Sequence, residues 1–207
     1  MPAELNLPPT ALVALAIFAA YLLGSVPFAV IASRLFGLAD PRSYGSGNPG
    51  ATNVLRSGNK AAAIVTLIGD AAKGWLAVFL AKSAAFEPGA LGLVMLAVFL
   101  GHLFPVFLKF RGGKGVATAA GVLLAVDPLV GLGALVVWIG VAVGLRYSSL
   151  AALCAAVAAA PLTLWLRGPD AVAIAVAVMA AALIATHRAN VRRLLAGSEP
   201  KIGSKKK

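Results

Sequence analysis

One cysteine, Cys154, lies within an apolar run, which excludes both a disulfide framework and a thiolate metal cluster and leaves the residue as inert packing. The two histidines, His102 and His187, stand far apart among only seven acidic residues, so no zinc or magnesium box is visible and a catalytic metal site is not expected. Charge of either sign is scarce, at 12% against 60% hydrophobic residues, too little polar surface to cover a soluble domain. What the chain has instead is apolar length. Runs of spanning size recur, so the expected class is an all-α, polytopic integral membrane bundle whose outside is solvated by lipid. The start has no basic region and no cleavage site before the run from Thr10 to Ala32, which is therefore expected to be retained as a first span. A net charge of +11 raises nucleic acid as a partner, but the basic residues sit in the turns between apolar runs, as membrane orientation requires, and that reading is set aside.

At about twenty residues per crossing, the runs give seven transmembrane helices. They are Thr10 to Ser33, Ala61 to Lys82, Gly89 to Leu108, Val116 to Val126, Leu129 to Leu145, Leu150 to Leu166 and Ala171 to Thr186. The fourth is short, and Asp127 with Pro128 admits a second reading, a bend within one longer helix. Charge decides between them. With seven spans, fifteen of the eighteen Lys and Arg fall on one face, and merging the fourth and fifth would carry Arg146, Tyr147, Ser148 and Ser149 to the other. The basic face is cytoplasmic by the positive-inside rule, which puts the N-terminus in the periplasm and the C-terminus in the cytoplasm. Residues 1–198 form a single expected domain, followed by a basic cytoplasmic tail, 199–207, held loosely at anionic headgroups.

Three segments on that face carry the chemistry. GSGNPGATNVLR from Gly45 spaces its glycines like a dinucleotide fingerprint, but a membrane helix precedes it where a strand is required. The underlying physics survives: glycines let successive amides point into one concavity, Ser46, Thr52 and Asn53 add side-chain donors, and Arg56 adds a fork for phosphate. The same residue types also make ordinary turns. FRGGKGVAT from Phe110 lacks the Ser or Thr that a Walker loop needs after its lysine, which disfavours nucleotide hydrolysis, whereas Lys114 at a glycine-rich helix start supplies a point charge to a phosphate or to a lipid headgroup. THRAN from Thr186 sets His187 and Asn190 on one side of a helix, where the imidazole serves as base, phosphate donor or helix-end cation. Ser149, after Arg146 and Tyr147, is either a further donor or a helix cap.

Inside the second span, Asp70 and Lys73 stand three apart and are expected to neutralise one another, since no other titratable residue is evident at that depth to make a relay. His102, among aromatics and a proline, reads as packed and structural.

Together GSGNPGATNVLR at Gly45, GHLFPVFLKFRGGKGVAT at Gly101, RYSSL at Arg146 and HRANVRRLLAGSE at His187 resemble, in order and separation, the bacterial membrane acyltransferases called PlsY. Those enzymes transfer a fatty acyl group from acyl-phosphate to glycerol 3-phosphate. The resemblance covers nearly the whole chain. It implies an inner-membrane enzyme with an active site open to the cytoplasm, no cofactor and no metal, making lysophosphatidic acid from acyl-phosphate and glycerol 3-phosphate with membrane lipids around it and no obligate protein partner. Matched residue by residue, Ser46, Gly47, Asn48, Gly50, Thr52, Asn53 and Arg56 fall on the motif that binds acyl-phosphate. Lys114, Ser149, His187 and Asn190 fall on residues associated with glycerol 3-phosphate, and Lys114, His187 and Asn190 among them with catalysis. No His is followed five positions later by Asp, as other glycerophosphate acyltransferases require: Phe107 follows His102 and Arg192 follows His187 at that distance. An organic-phosphate transporter, or an acyltransferase fed by acyl-CoA or acyl-carrier protein, stays open on the residues alone, although no internal repeat favours transport.

Overall fold

Apolar length sets the helices and short polar caps set their ends. The computed structural model describes residues 8–203, and among these every regular element is helical. In order they are α1 (Pro9–Ser25), α2 (Phe28–Leu35), α3 (Ala51–Leu55), α4 (Lys60–Ser83), α5 (Pro88–Leu103), α6 (Val116–Val126), α7 (Pro128–Leu145), α8 (Ser148–Arg167), α9 (Ala171–Thr186) and α10 (Arg188–Leu195). Asn59, Asp127 and Asp170 each offer a side-chain oxygen to an amide of the first turn of α4, α7 and α9, at 2.9, 2.8 and 2.8 Å. The extreme N-terminus and the lysines Lys205, Lys206 and Lys207, to which the orientation and tail expectations refer, lie outside the described residues.

The helices α4, α7 and α8 and the stretch Pro88–Leu108 are each long and apolar enough to cross a membrane. The pairs α1 with α2 and α9 with α10 become so as bent units, turned by 40° and 58°. Large apolar side chains such as Val136 and Val143 of α7 and Ile174 of α9 face outward, as they do when lipid is the solvent. Inside, Met95, Val98 and Phe99 of α5 pack with Val122 of α6, Val130 of α7 and Val172 and Val176 of α9. Backbones approach closely where glycine permits it. A Cβ at Gly121 would lie 1.9 Å from the Ala71 carbonyl oxygen, and one at Gly74 would lie 2.3 Å from that of Thr118, so α6 lies directly against α4.

Two of the expected spans are interrupted. Thr10 to Ser33 was expected as one helix, but Pro27 removes an amide and the chain turns between α1 and α2, because proline cannot continue the hydrogen-bond ladder. Pro105 likewise ends the regular part of the third run, which closes in a short 3₁₀ turn, Val106–Leu108. The short fourth run is a helix of its own. Its eleven residues end where the Lys82 ammonium donates to the Ala125 and Val126 carbonyls, both at 2.9 Å, and Asp127 with Pro128 then starts α7, which packs back against α6. The orphan carbonyls of a short helix end are thus satisfied by a cation from its neighbour.

Candidate active site

The first anion loop, residues 45–50, is built around one buried amide. Asn53 Nδ2 donates to the carbonyls of Pro41 and Tyr44 at 2.6 and 3.2 Å, and its Oδ1 accepts from the Ser46 amide at 2.9 Å and from an Arg56 guanidinium nitrogen at 3.3 Å. Asn53 was expected among the phosphate donors; here both ends of its amide are engaged within the protein, where they shape the loop and hold Arg56. Gly45 and Gly47 take left-handed φ of 61° and 68°, which is the reason for glycine at both positions. Ser46, Gly47, Thr52 and Arg56 remain exposed, with Asn48 and Gly50 half-buried behind them. The Thr52 hydroxyl lies 3.1 Å from that of Ser148, which joins the start of α3, just after this loop, to the start of α8.

The second loop is pressed onto the end of α5. Gly112 and Gly113 donate their amides to the carbonyls of Leu103 and His102, both at 3.1 Å. A Cβ at Gly112 would lie 2.1 Å from the His102 carbonyl oxygen, so nothing larger fits. Lys109 and Phe110 hold left-handed conformations uncommon for residues with side chains, with φ of 52° and 61°. Lys114 leaves this loop half-buried, just before α6, and its ammonium donates to Asn190 Oδ1.

The third contributor is the bend between α9 and α10. His187 closes α9 and is buried, with Nδ1 2.8 Å from the Leu183 carbonyl oxygen. A carbonyl only accepts, so Nδ1 carries the proton and Nε2 is left as the basic nitrogen. Burial pulls the imidazole below its ordinary value, and the Lys114 charge adds to this against the opposing Leu183 bond. Burial also lowers Lys114, followed by the charges of Arg193 and Arg56, which places these three cations at one end of the bundle.

Glu199 was expected to open a loose tail. It is buried instead, and it collects three donors: Ser149 Oγ at 2.6 Å and Asn190 Nδ2 at 2.7 Å on one oxygen, and Arg193 Nε at 2.6 Å on the other. Ser149 is therefore oriented by a carboxylate rather than standing free, as is Asn190. Burial raises the Glu199 carboxyl, but the bonds from Ser149, Asn190 and Arg193 outweigh it and hold the group below its usual range. The signal available in the sequence was scarcity: each of seven carboxylates in so apolar and basic a chain needs a cause. Among the described residues no three His, Cys, Asp or Glu side chains converge as a metal set.

Glu199→Ala leaves buried Ser149 and Asn190 without their acceptor, and the expected cost is on the order of 2–4 kcal/mol. It is read as a lower thermal midpoint in detergent, and an unchanged midpoint contradicts the assignment. Because the folded carboxyl is held low, its contribution is present at neutral pH, above the unfolded value near 4.5, and is lost as pH falls through the folded value.

Four segments distant in sequence thus meet at one end: the loop before α3, the loop before α6, the α7–α8 turn, and α10 with the chain after it. Known proteins share this frame. The family described as Glycerol-3-phosphate acyltransferase matches residues 14–197. A protein named glycerol-3-phosphate acyltransferase from Dechloromonas aromatica (strain RCB) is 62% identical over 195 residues, covering 94% of this chain and 98% of its own. Another from Burkholderia orbicola (strain MC0-3) is 60% identical over 196 residues, covering 93% and 94%. The crystal structure of PlsY, an integral membrane glycerol 3-phosphate acyltransferase, in its glycerol 3-phosphate form matches with a TM-score of 0.88 at 39% identity, over 92% of this chain and 96% of that one. Its lysophosphatidic acid form matches at 0.86 and 38%, over 92% and 95%. By sequence and by helical frame alike, the chain belongs to the glycerol-3-phosphate acyltransferase family of integral membrane proteins, the PlsY family.

Proposed function

We propose that this protein transfers an acyl group from acyl-phosphate to the 1-hydroxyl of glycerol 3-phosphate, releasing phosphate and lysophosphatidic acid. The observation that carries this reading is the meeting of Lys114, His187, Asn190 and Ser149 with the loop of Ser46 to Arg56 at one end of a membrane bundle. Relatives named for glycerol 3-phosphate, and a related structure solved with it and with lysophosphatidic acid, support the acceptor and the product.

The chemistry asks little of the protein beyond positioning. Acyl-phosphate is a mixed anhydride. The glycerol oxygen attacks the acyl carbon, the bond from that carbon to the bridging oxygen breaks, and its electron pair leaves on phosphate. The hydroxyl proton goes to His187 Nε2 or to a phosphate oxygen of a substrate. Two repelling anions must be held at attack distance, for which Arg56, Lys114, Arg193 and the loop amides offer countercharge. In this reading Ser46, Gly47, Asn48, Gly50, Thr52 and Arg56 receive the acyl-phosphate, and Lys114, Ser149, His187 and Asn190 receive glycerol 3-phosphate. The chain crosses the inner membrane seven times with this end in the cytoplasm, and the single domain of residues 1–198 extends to take in Glu199.

The test is to supply purified protein in detergent with glycerol 3-phosphate and, separately, acyl-phosphate, acyl-CoA or acyl-carrier protein. Lysophosphatidic acid is expected from acyl-phosphate alone. Product from either thioester donor but not from acyl-phosphate refutes the donor assignment, and unchanged substrate accumulating in sealed vesicles points to transport.

A further inference from the structure

Behind the site, in the middle of the bundle, lies a buried polar cluster that the chemistry above does not use. Asp70 Oδ1 is 2.8 Å from Lys73 Nζ and 3.4 Å from His102 Nδ1, and His102 Nδ1 is also 3.1 Å from the Thr118 hydroxyl. All four side chains are buried. An ion pair that only neutralised itself would need neither the histidine nor the further bond the lysine makes. Lys73 Nζ donates to the Val26 carbonyl at 2.9 Å, at the break between α1 and α2, and lies 5.9 Å from the centre of the Phe28 ring, against which Gly69 packs. α2 leads into the first anion loop. On the other side, the His102 carbonyl accepts from Gly113, and a Cβ on Gly113 would lie 2.2 Å from His102 Nε2, so the imidazole lies directly beneath the residue before Lys114. Pro49 of the first loop and Gly112 and Gly113 of the second line one small cavity together with Asp70, Lys73 and His102.

We propose that Asp70, Lys73 and His102 are positioning residues for acyl transfer: they tie the turn at Val26 to the end of α5, and so set the distance between the loop that carries Arg56 and the loop that carries Lys114. Arg56 follows the five-residue α3, and Lys114 lies in the irregular stretch between Leu108 and α6, so neither is held by a long helix of its own. A buried charge that holds a carbonyl at a proline break costs desolvation, and such a cost is expected where geometry depends on it. A displacement of about 1 Å between the two loops is enough to cost on the order of 10²-fold in rate. The proposal rests on the acyl-transfer reading for its rate predictions, but its binding prediction stands without that reading.

The test uses full-length protein in detergent and two comparisons. In the first, Asp70→Asn combined with Lys73→Met removes both charges at once, so no lone buried ion remains. A self-neutralising pair predicts near wild-type activity for this variant. The positioning role predicts that KM for glycerol 3-phosphate and for acyl-phosphate, and the inhibition constant of inorganic phosphate, all rise about 10-fold or more while the protein still melts cooperatively. In the second, His102→Ala loses about 10²-fold in kcat/KM, and His102→Asn, which keeps an amide near the Nδ1 position, recovers most of it. Wild-type phosphate affinity in the double variant overturns the proposal, as does a failure of His102→Asn to exceed His102→Ala. If the double variant does not fold, the histidine pair decides. Should the wild type make no lysophosphatidic acid, the proposed function fails on its own, and inorganic phosphate binding measured by calorimetry still decides the positioning role.

Discussion

Lys114→Ala is expected to lose about 10³-fold or more in kcat/KM for both phosphate substrates, equivalent to about 4 kcal/mol of transition-state stabilisation. The ammonium is half-buried at the start of α6, bonded to Asn190, and crowded by Arg193 and Arg56. Cations held near one another repel, and burial adds to their cost; a phosphate bound among them offsets both. Removing Lys114 takes away a charge-assisted donor worth about 1.5–3 kcal/mol and leaves the Asn190 carbonyl oxygen without its partner. Lys114→Arg restores charge but not the compact point geometry, so recovery is expected to be partial. Steady-state kinetics with each substrate varied in turn checks this, and wild-type turnover in Lys114→Ala contradicts the clamp.

His187→Ala is expected to lose about 10²-fold or more in kcat at saturating substrate, the range of a positioned general base. The structure favours that role through the tautomer: Nδ1 is committed to the Leu183 carbonyl, which leaves Nε2 free to accept. Burial and the Lys114 charge lower the imidazole, which disfavours its protonated form. The base is lost on protonation, so the acid limb of the kcat/KM profile, which reports the free enzyme, is expected below the ordinary histidine value of about 6.5, and in the variant that limb disappears from kcat/KM and kcat alike. A loss confined to KM, with kcat and its acid limb intact, assigns His187 to binding and leaves the proton to a substrate phosphate.

Hydropathy located the long apolar runs, and the eleven-residue α6 was kept apart from α7 because merging them would carry Arg146 and Ser149 away from the other basic segments; Asp127 and Pro128, which had also admitted a bend, start α7. Pro27 and Pro105 were passed over for the same reason: averaging over a run hides a single residue that breaks it. The candidate anion ligands were legible as glycines, hydroxyls and cations gathered in turns between apolar runs, and the structure brings those turns together at one end of the bundle. Their division of labour was not legible. Asn53, read as a ligand, also holds the loop together from beneath, and Glu199, read as tail, is the acceptor for Ser149, 50 residues away. The distance from Asp70 to His102 likewise depends on how α4 and α5 cross, which no local pattern reports.

Simultaneous capture of two phosphates and direct attack, with no acyl-enzyme between, is the central claim. Initial rates measured over a grid of acyl-phosphate and glycerol 3-phosphate concentrations test it most directly. A ternary complex gives double-reciprocal lines that intersect, with no burst of phosphate when glycerol 3-phosphate is withheld. Parallel lines, with a stoichiometric phosphate burst from acyl-phosphate alone, would contradict it.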